Sequence, residues 1–206
     1  MPCHFGVNLR DSKYGLKISR EKYAIIDNKS SFIRGETYSY DFCKKHMEKC
    51  LINYDLNMKY FSTLDKNEFK NSLNEFLKNE HFIEVFDLNK YANVPGYYIL
   101  VLDEFCQVYI GTTCNIKQRI MSHWSSRKHF DRLIFGGVYN SILSIDSFRA
   151  LDTTRIFVLK TNRTFIDENK YIDGLHSKFM LNRTCGGRLE GGLMEAIRGR
   201  RIRELK

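Results

Sequence analysis

Residues 94–113 read VPGYYILVLDEFCQVYIGTT, two short apolar runs each carrying a Gly beside a Tyr. The runs 97–102 (YYILVL) and 106–110 (CQVYI) are rich in β-formers and are joined by DEF, a short polar connection, so the segment is predicted to be an antiparallel hairpin. Pro95 cannot donate to a sheet ladder and restrains Val94. The first new strand is therefore expected to start at Gly96, with a domain boundary near residue 90.

After the hairpin the pattern changes period. In NIKQRIMSHW, Asn115 is a good N-cap, and Ile116, Ile120 and Trp124 recur every four residues as a buried helical stripe. TRIFVLK (154–160) is expected to be a third strand. DENKYIDGLHSKF is expected to be a second amphipathic helix with Tyr171, Ile172, Leu175 and Phe179 on one face. Hairpin, helix, strand, helix predicts an α+β fold with a small mixed or antiparallel three-stranded sheet flanked by helices.

Composition narrows what this unit can do. The chain has 206 residues and 43% hydrophobic content, enough for one large domain or two small ones. No apolar run is long enough to cross a bilayer, and MPCHFGVNLR lacks the basic start and apolar stretch of a signal peptide. A cytoplasmic protein with no membrane partner is expected. The six Cys stand at uneven spacings and read as thiols or metal ligands rather than a disulfide framework. Lys and Arg outnumber Asp and Glu by 33 to 24, and the excess is uneven: 15 against 13 over residues 1–90, and 18 against 11 over 91–206. Such an asymmetry suits a polyanionic partner, because neutralised phosphates release condensed counterions.

Polar residues on the inward stripes are the informative ones. Arg119 and His123 are four apart and so neighbours on one helical face, where both can meet one phosphate or simply face water. Glu168 stands four residues before Ile172 and seven before Leu175, continuing an apolar stripe. A carboxylate there needs a partner, unless it is only a first-turn acid favoured by the helix dipole.

The order of these residues resembles the GIY-YIG nuclease superfamily. Gly96-Tyr97-Tyr98 and Tyr109-Ile110-Gly111 are similar to the two halves of its signature; Arg119, His123, Glu168 and Asn182, in LNRTCGG, follow in the family's order. The resemblance covers about residues 93–187, and Tyr97 departs from it where an aliphatic residue is usual. It implies a metal-dependent DNA endonuclease in which both tyrosines line one active site. Glu168 would ligate Mg²⁺ or Mn²⁺, and the ion would stabilise the leaving 3′ oxygen. Arg119 would grip the non-bridging oxygens with its planar fork. By the same resemblance Tyr98 is the favoured general base, although a phenol with an ordinary pKa of about 10 needs a nearby cation to act so. Tyr109 would orient water or phosphate, His123 would assist proton transfer or bind phosphate, and Asn182 would fix a loop beside the site. Gly111 would let backbone approach the substrate. A noncatalytic DNA-binding module that keeps the fold is the alternative.

The remaining segments are less specific. HWSSRKHFDRLIFGG places Arg127, Lys128 and Arg132 among aromatics, a composition suited to a DNA backbone track and equally to an exposed loop with buried Phe130 and Phe135. The tail, residues 188–206, is basic and either forms a short helix on DNA or stays solvated. Residues 1–90 are expected to form an α+β accessory region for target or partner recognition. FGVNLR, YGLKIS and YAIID look like short strands there, and STLDKNEFKNSLNEFL like a helix with a stripe of Phe69, Leu73, Phe76 and Leu77. Cys43, His46 and Cys50 share a helical face. With Cys3 or His4 they would complete a zinc set, or they are buried thiols in a helix stripe; paired Cys-x-x-Cys hooks are absent. Residues 93–206 are expected to fold alone.

Overall fold

The computed structural model describes residues 1–9, 15–25, 32–33, 36–126 and 128–183. The chain opens with a two-residue hairpin of β1 (Cys3–His4) and β2 (Val7–Asn8), a single helical turn α1 (Arg20–Tyr23), and a second small hairpin of β3 (Phe32–Ile33) and β4 (Glu36–Thr37). Two longer helices follow, α2 (Tyr40–Ser62) and α3 (Lys66–Asn79), and then β5 (Ile83–Glu84), β6 (Gly96–Leu102) and β7 (Gln107–Thr113). The remainder is α4 (Ile116–Ser125), a stretch of single 3₁₀ turns, β8 (Arg155–Lys160) and α5 (Glu168–Asp173). The fold is α+β.

β5, β8, β6 and β7 lie side by side in that order, and every pairing is antiparallel. The sheet thus has four strands rather than three, and the one parallel contact described is an isolated bridge from Val108 of β7 to Met180. Its extra strand, β5, comes from the chain before residue 90. The hairpin stands where the sequence puts it, with Tyr98 opposite Gly111 and Leu100 opposite Tyr109. Its four-residue connection, 103–106, ends on Cys106 at φ 51°, a left-handed position that closes the turn.

β6 carries no charged residue because both its faces are covered, and all seven of its residues are buried. Tyr98, Leu100 and Leu102 point into a core shared with Ile116 and Ile120 of α4, Cys50, Tyr60 and Phe61 of α2, and Leu143 and Phe148 of the turn-rich stretch. Tyr97, Ile99 and Val101 point the other way, against Phe69, Leu73 and Phe76 of α3 and Tyr171 and Ile172 of α5. Each fully buried side chain of this size contributes about 1.5–3 kcal/mol of transfer free energy. Both cores draw on residues from either side of position 90, so the expected boundary meets no break in packing.

Local signals explain the helices that match expectation. The Asn115 side chain accepts from Gln118 N at 3.1 Å to cap α4, and Asp65 accepts from Glu68 N at 2.7 Å to cap α3. The predicted second helix over 167–179 is instead two pieces, α5 and a 3₁₀ turn at Ser177–Phe179. At the break, a Cβ on Gly174 would stand 2.8 Å from the Phe76 ring, so the close approach of α3 keeps a glycine at the end of α5. The strands expected at YGLKIS and YAIID are absent among the described residues: Ser19 precedes α1 and Tyr23 closes it. Tyr14, Ile26 and Asp27 lie outside the described residues, as does the tail 188–206. No helix among the described residues is long and apolar enough to cross a membrane.

Candidate active site

Strand pairing sets the first pair of residues. Tyr98 and Tyr109 lie on the same face of adjacent strands, their ring centroids 6.2 Å apart. The Tyr98 ring reaches across β7 through the space that a side chain at position 111 would fill; a Cβ there would fall inside the phenol. Gly111 therefore makes room for Tyr98, rather than opening backbone to a substrate.

The two polar residues of α4 reach the same face. Arg119 is exposed at the cleft, while His123 is buried one turn later with both ring nitrogens engaged. Nδ1 lies 2.6 Å from Asp146 Oδ1 and Nε2 lies 2.8 Å from the Tyr98 hydroxyl. A carboxylate only accepts, so Nδ1 carries the proton and Nε2 accepts from Tyr98. Burial pushes the Asp146 carboxyl up, but the His123 hydrogen bond and the nearby positive charges outweigh it and leave the group below its usual range. Burial, with Tyr109 next, pushes the Tyr98 phenol well above its usual value despite Arg119, so it is an undissociated hydroxyl. His123 is buried with both ring nitrogens engaged, so neither is free to grip a phosphate. Sequence reading missed Asp146, 23 positions from His123 in a stretch without regular period.

Glu168 opens α5, half-buried on the opposite wall. Burial raises its carboxyl above the usual range, with Arg119 and the Thr112 backbone opposing. The segment leading to it is pinned by Tyr97, whose hydroxyl donates to Arg163 O and accepts from Asp167 N, both at 2.8 Å. Tyr97 thus has a defined structural task. Asn182 pairs with the backbone of Ile110 in both directions, accepting from its N at 3.0 Å and donating to its O at 2.7 Å. It pins residues 181–183 along the free edge of β7.

These walls enclose a cavity of about 360 Å³ lined by Tyr98, Tyr109, Arg119, His123, Glu168 and Asn182, together with Asp146, Lys128 and Arg183. Every candidate catalytic residue is brought to one place. Of the expected DNA track, Lys128 lines the cavity, Arg132 is exposed and outside its lining, and Arg127 is outside the described residues. Phe130 is buried, and Phe135 is partly so.

Among the described residues of the cleft, Glu168 is the carboxylate that would suit a divalent ion. Glu168 is a hard oxygen ligand whose desolvation a cation would relieve, and Asp146 is committed to His123. The donor set fits an ion that keeps most of its waters, as Mg²⁺ and Mn²⁺ do. No group of three or more His, Cys, Asp or Glu side chains able to hold an ion occurs among the described residues. The zinc set is accordingly not assembled. Cys43 and Cys50 are buried thiols on the core face of α2; His46 bonds Phe130 O at 2.7 Å, and His4 bonds Thr153 O at 2.8 Å.

Fold and cleft together define an α+β protein with a tyrosine-, arginine- and carboxylate-lined cavity against an antiparallel sheet. Compared with known proteins, the chain matches no family model, no curated protein and no solved structure.

Proposed function

We propose that this chain is a metal-dependent DNA endonuclease of GIY-YIG type that hydrolyses phosphodiester bonds in the cleft between the β6–β7 hairpin, α4 and α5. The observation that supports it is the convergence of Tyr98, Tyr109, Arg119, His123, Glu168 and Asn182, scattered over the sequence, on one cavity. A binding module needs neither a buried tyrosine–histidine–aspartate chain nor a desolvated carboxylate opposite an arginine.

The proton path follows from the hydrogen bonds. As water attacks phosphorus, its proton passes to the Tyr98 hydroxyl oxygen while the Tyr98 proton moves to His123 Nε2. Asp146 stabilises the imidazolium that forms. Tyr98 is then a relay and never has to ionise beforehand, which removes the difficulty of its raised pKa. Arg119 grips the non-bridging oxygens as charge grows there, and Tyr109, packed edge-on against His123 at 5.2 Å between centroids, orients the water. Glu168 would hold Mg²⁺ or Mn²⁺, and the ion supplies Lewis-acid stabilisation of the leaving 3′ oxygen. Residues 1–90 form an accessory region that supports this site through the shared cores.

Purified protein incubated with supercoiled, linear and branched DNA is expected to cut at least one form with Mg²⁺ and none with EDTA. DNA binding without scission under any divalent ion would leave the noncatalytic module as the correct reading.

A further inference from the structure

Two cations in the cleft have no part in the hydrolysis described above. Arg183, next to Asn182, lines the cavity, and its guanidinium lies 5.1 Å from the Phe135 ring centroid. Its Nε and Nη2 are shut away from water with no hydrogen-bond partner among the described residues. Lys128, from the loop after α4, lines the same cavity. Burial pulls the Lys128 ammonium below its usual range and the Arg183 charge pulls it further. Burial also draws the Arg183 guanidinium down to about 10, against Tyr23 and Asp146.

Among the described residues, no carboxylate makes an ion pair with either cation. Asp146 is the acid within reach of both, but its Oδ1 is held by His123 at 2.6 Å, and it makes no ion pair with Arg183 or Lys128. Two partly buried cations lining one cavity disfavour each other unless an anion joins them. A guanidinium fork beside an ammonium suits a tetrahedral oxyanion with several acceptors on one group. A smaller neighbouring cleft shares Lys128 and Asp146 and adds Lys22 and Arg149, extending positive potential away from the cavity.

We propose that Arg183 and Lys128 form a second phosphate subsite that takes a phosphodiester group next to the one that is cut. The assignment rests on the nuclease reading for its ligand, and it accounts for a cost that the catalytic residues alone leave unexplained. Arg119 holds the reacting phosphate, while Arg183 and Lys128 fix the register of the strand.

Binding of labelled oligonucleotides to the full chain in EDTA separates this from the catalytic claim, because no cleavage is read. Arg183→Gln and Lys128→Gln are each expected to weaken binding about tenfold or more and to lower the log–log salt slope by about one. In oligonucleotides carrying one neutral methylphosphonate, a single non-scissile position should cost the wild type about as much as the substitution does, and should cost the variants little further. Lys128 is on a partly exposed loop, so its variant decides the matter should Arg183→Gln unfold. An unchanged slope and methylphosphonate profile in Lys128→Gln would overturn the subsite. So would displacement of the probe by millimolar inorganic phosphate with no position-dependent methylphosphonate effect, which assigns the pair to free phosphate instead. A chain that binds in this Arg183-dependent way yet cuts no DNA sinks the nuclease reading alone; one that cuts without it sinks the subsite alone.

Discussion

Asp146 decides which nitrogen of His123 holds the proton, because its carboxylate accepts from Nδ1 at 2.6 Å. Asparagine there can donate to Nδ1, which would put the proton on Nε2 and take from Tyr98 its acceptor. Asp146→Asn is therefore expected to cut single-turnover cleavage by roughly 10²- to 10⁴-fold with DNA affinity intact. Since the folded carboxyl titrates below its unfolded value of about 3.9, the pair contributes stability above that pH and loses it only as pH falls through the folded pKa. The melting-temperature gap between wild type and Asp146→Asn should accordingly be full at neutral pH and close in strong acid. A normal cleavage rate in the variant, or a gap that grows on acidification, would remove Asp146 from the path. Arg119 and His123 were legible because helical period puts them on one face, and Tyr98 and Tyr109 because the resemblance pairs them across the hairpin. Asp146 was not, since a chain of 3₁₀ turns has no period to read. The part of Gly111 was half legible: a glycine is required there, but the group it admits, the Tyr98 ring, is visible only once the strands are paired.

Elements were readable in proportion to how much of their pattern is local. β6, β7, α4 and α3 combine a clear period with an N-cap or tight turn, and they stand where the sequence puts them. α5 was overextended because Tyr171, Ile172, Leu175 and Phe179 do share one core, but Gly174 must admit the Phe76 ring and the chain turns there. β5 is two exposed residues, Ile83 and Glu84, whose strand character comes wholly from pairing with Phe157 and Val158. α2 is a 23-residue helix, of which only the cysteine–histidine face was singled out. Its buried Asn57 donates to Ser141 O at 3.0 Å and accepts from Leu143 N at 3.4 Å, tethering the stretch that delivers Asp146. A buried asparagine in a long helix is itself a sequence signal for such a tether, since an unpaired amide there is costly.

Over the whole molecule, the charge asymmetry suggested two halves with separate tasks, while the packing joins them. Removing residues 1–92 takes away α2 and α3, one cover from each face of the sheet, together with β5 and the Asn57 tether. With about 1.5–3 kcal/mol at stake for each buried side chain uncovered, against total stabilities of about 5–15 kcal/mol, residues 93–206 alone are expected not to fold. Circular dichroism and a thermal melt should show no cooperative transition; a cooperative melt with retained cleavage would contradict the shared-core description. In the proposed reaction Glu168 is the carboxylate that would hold the metal ion, while other groups hold the DNA. The most direct measurement pairs binding and cleavage on one labelled substrate for wild type and Glu168→Gln, with Mg²⁺ present. Near-equal affinity and loss of scission are expected in the variant, and a Glu168→Gln protein that cuts at the wild-type rate would remove Glu168 from the chemistry.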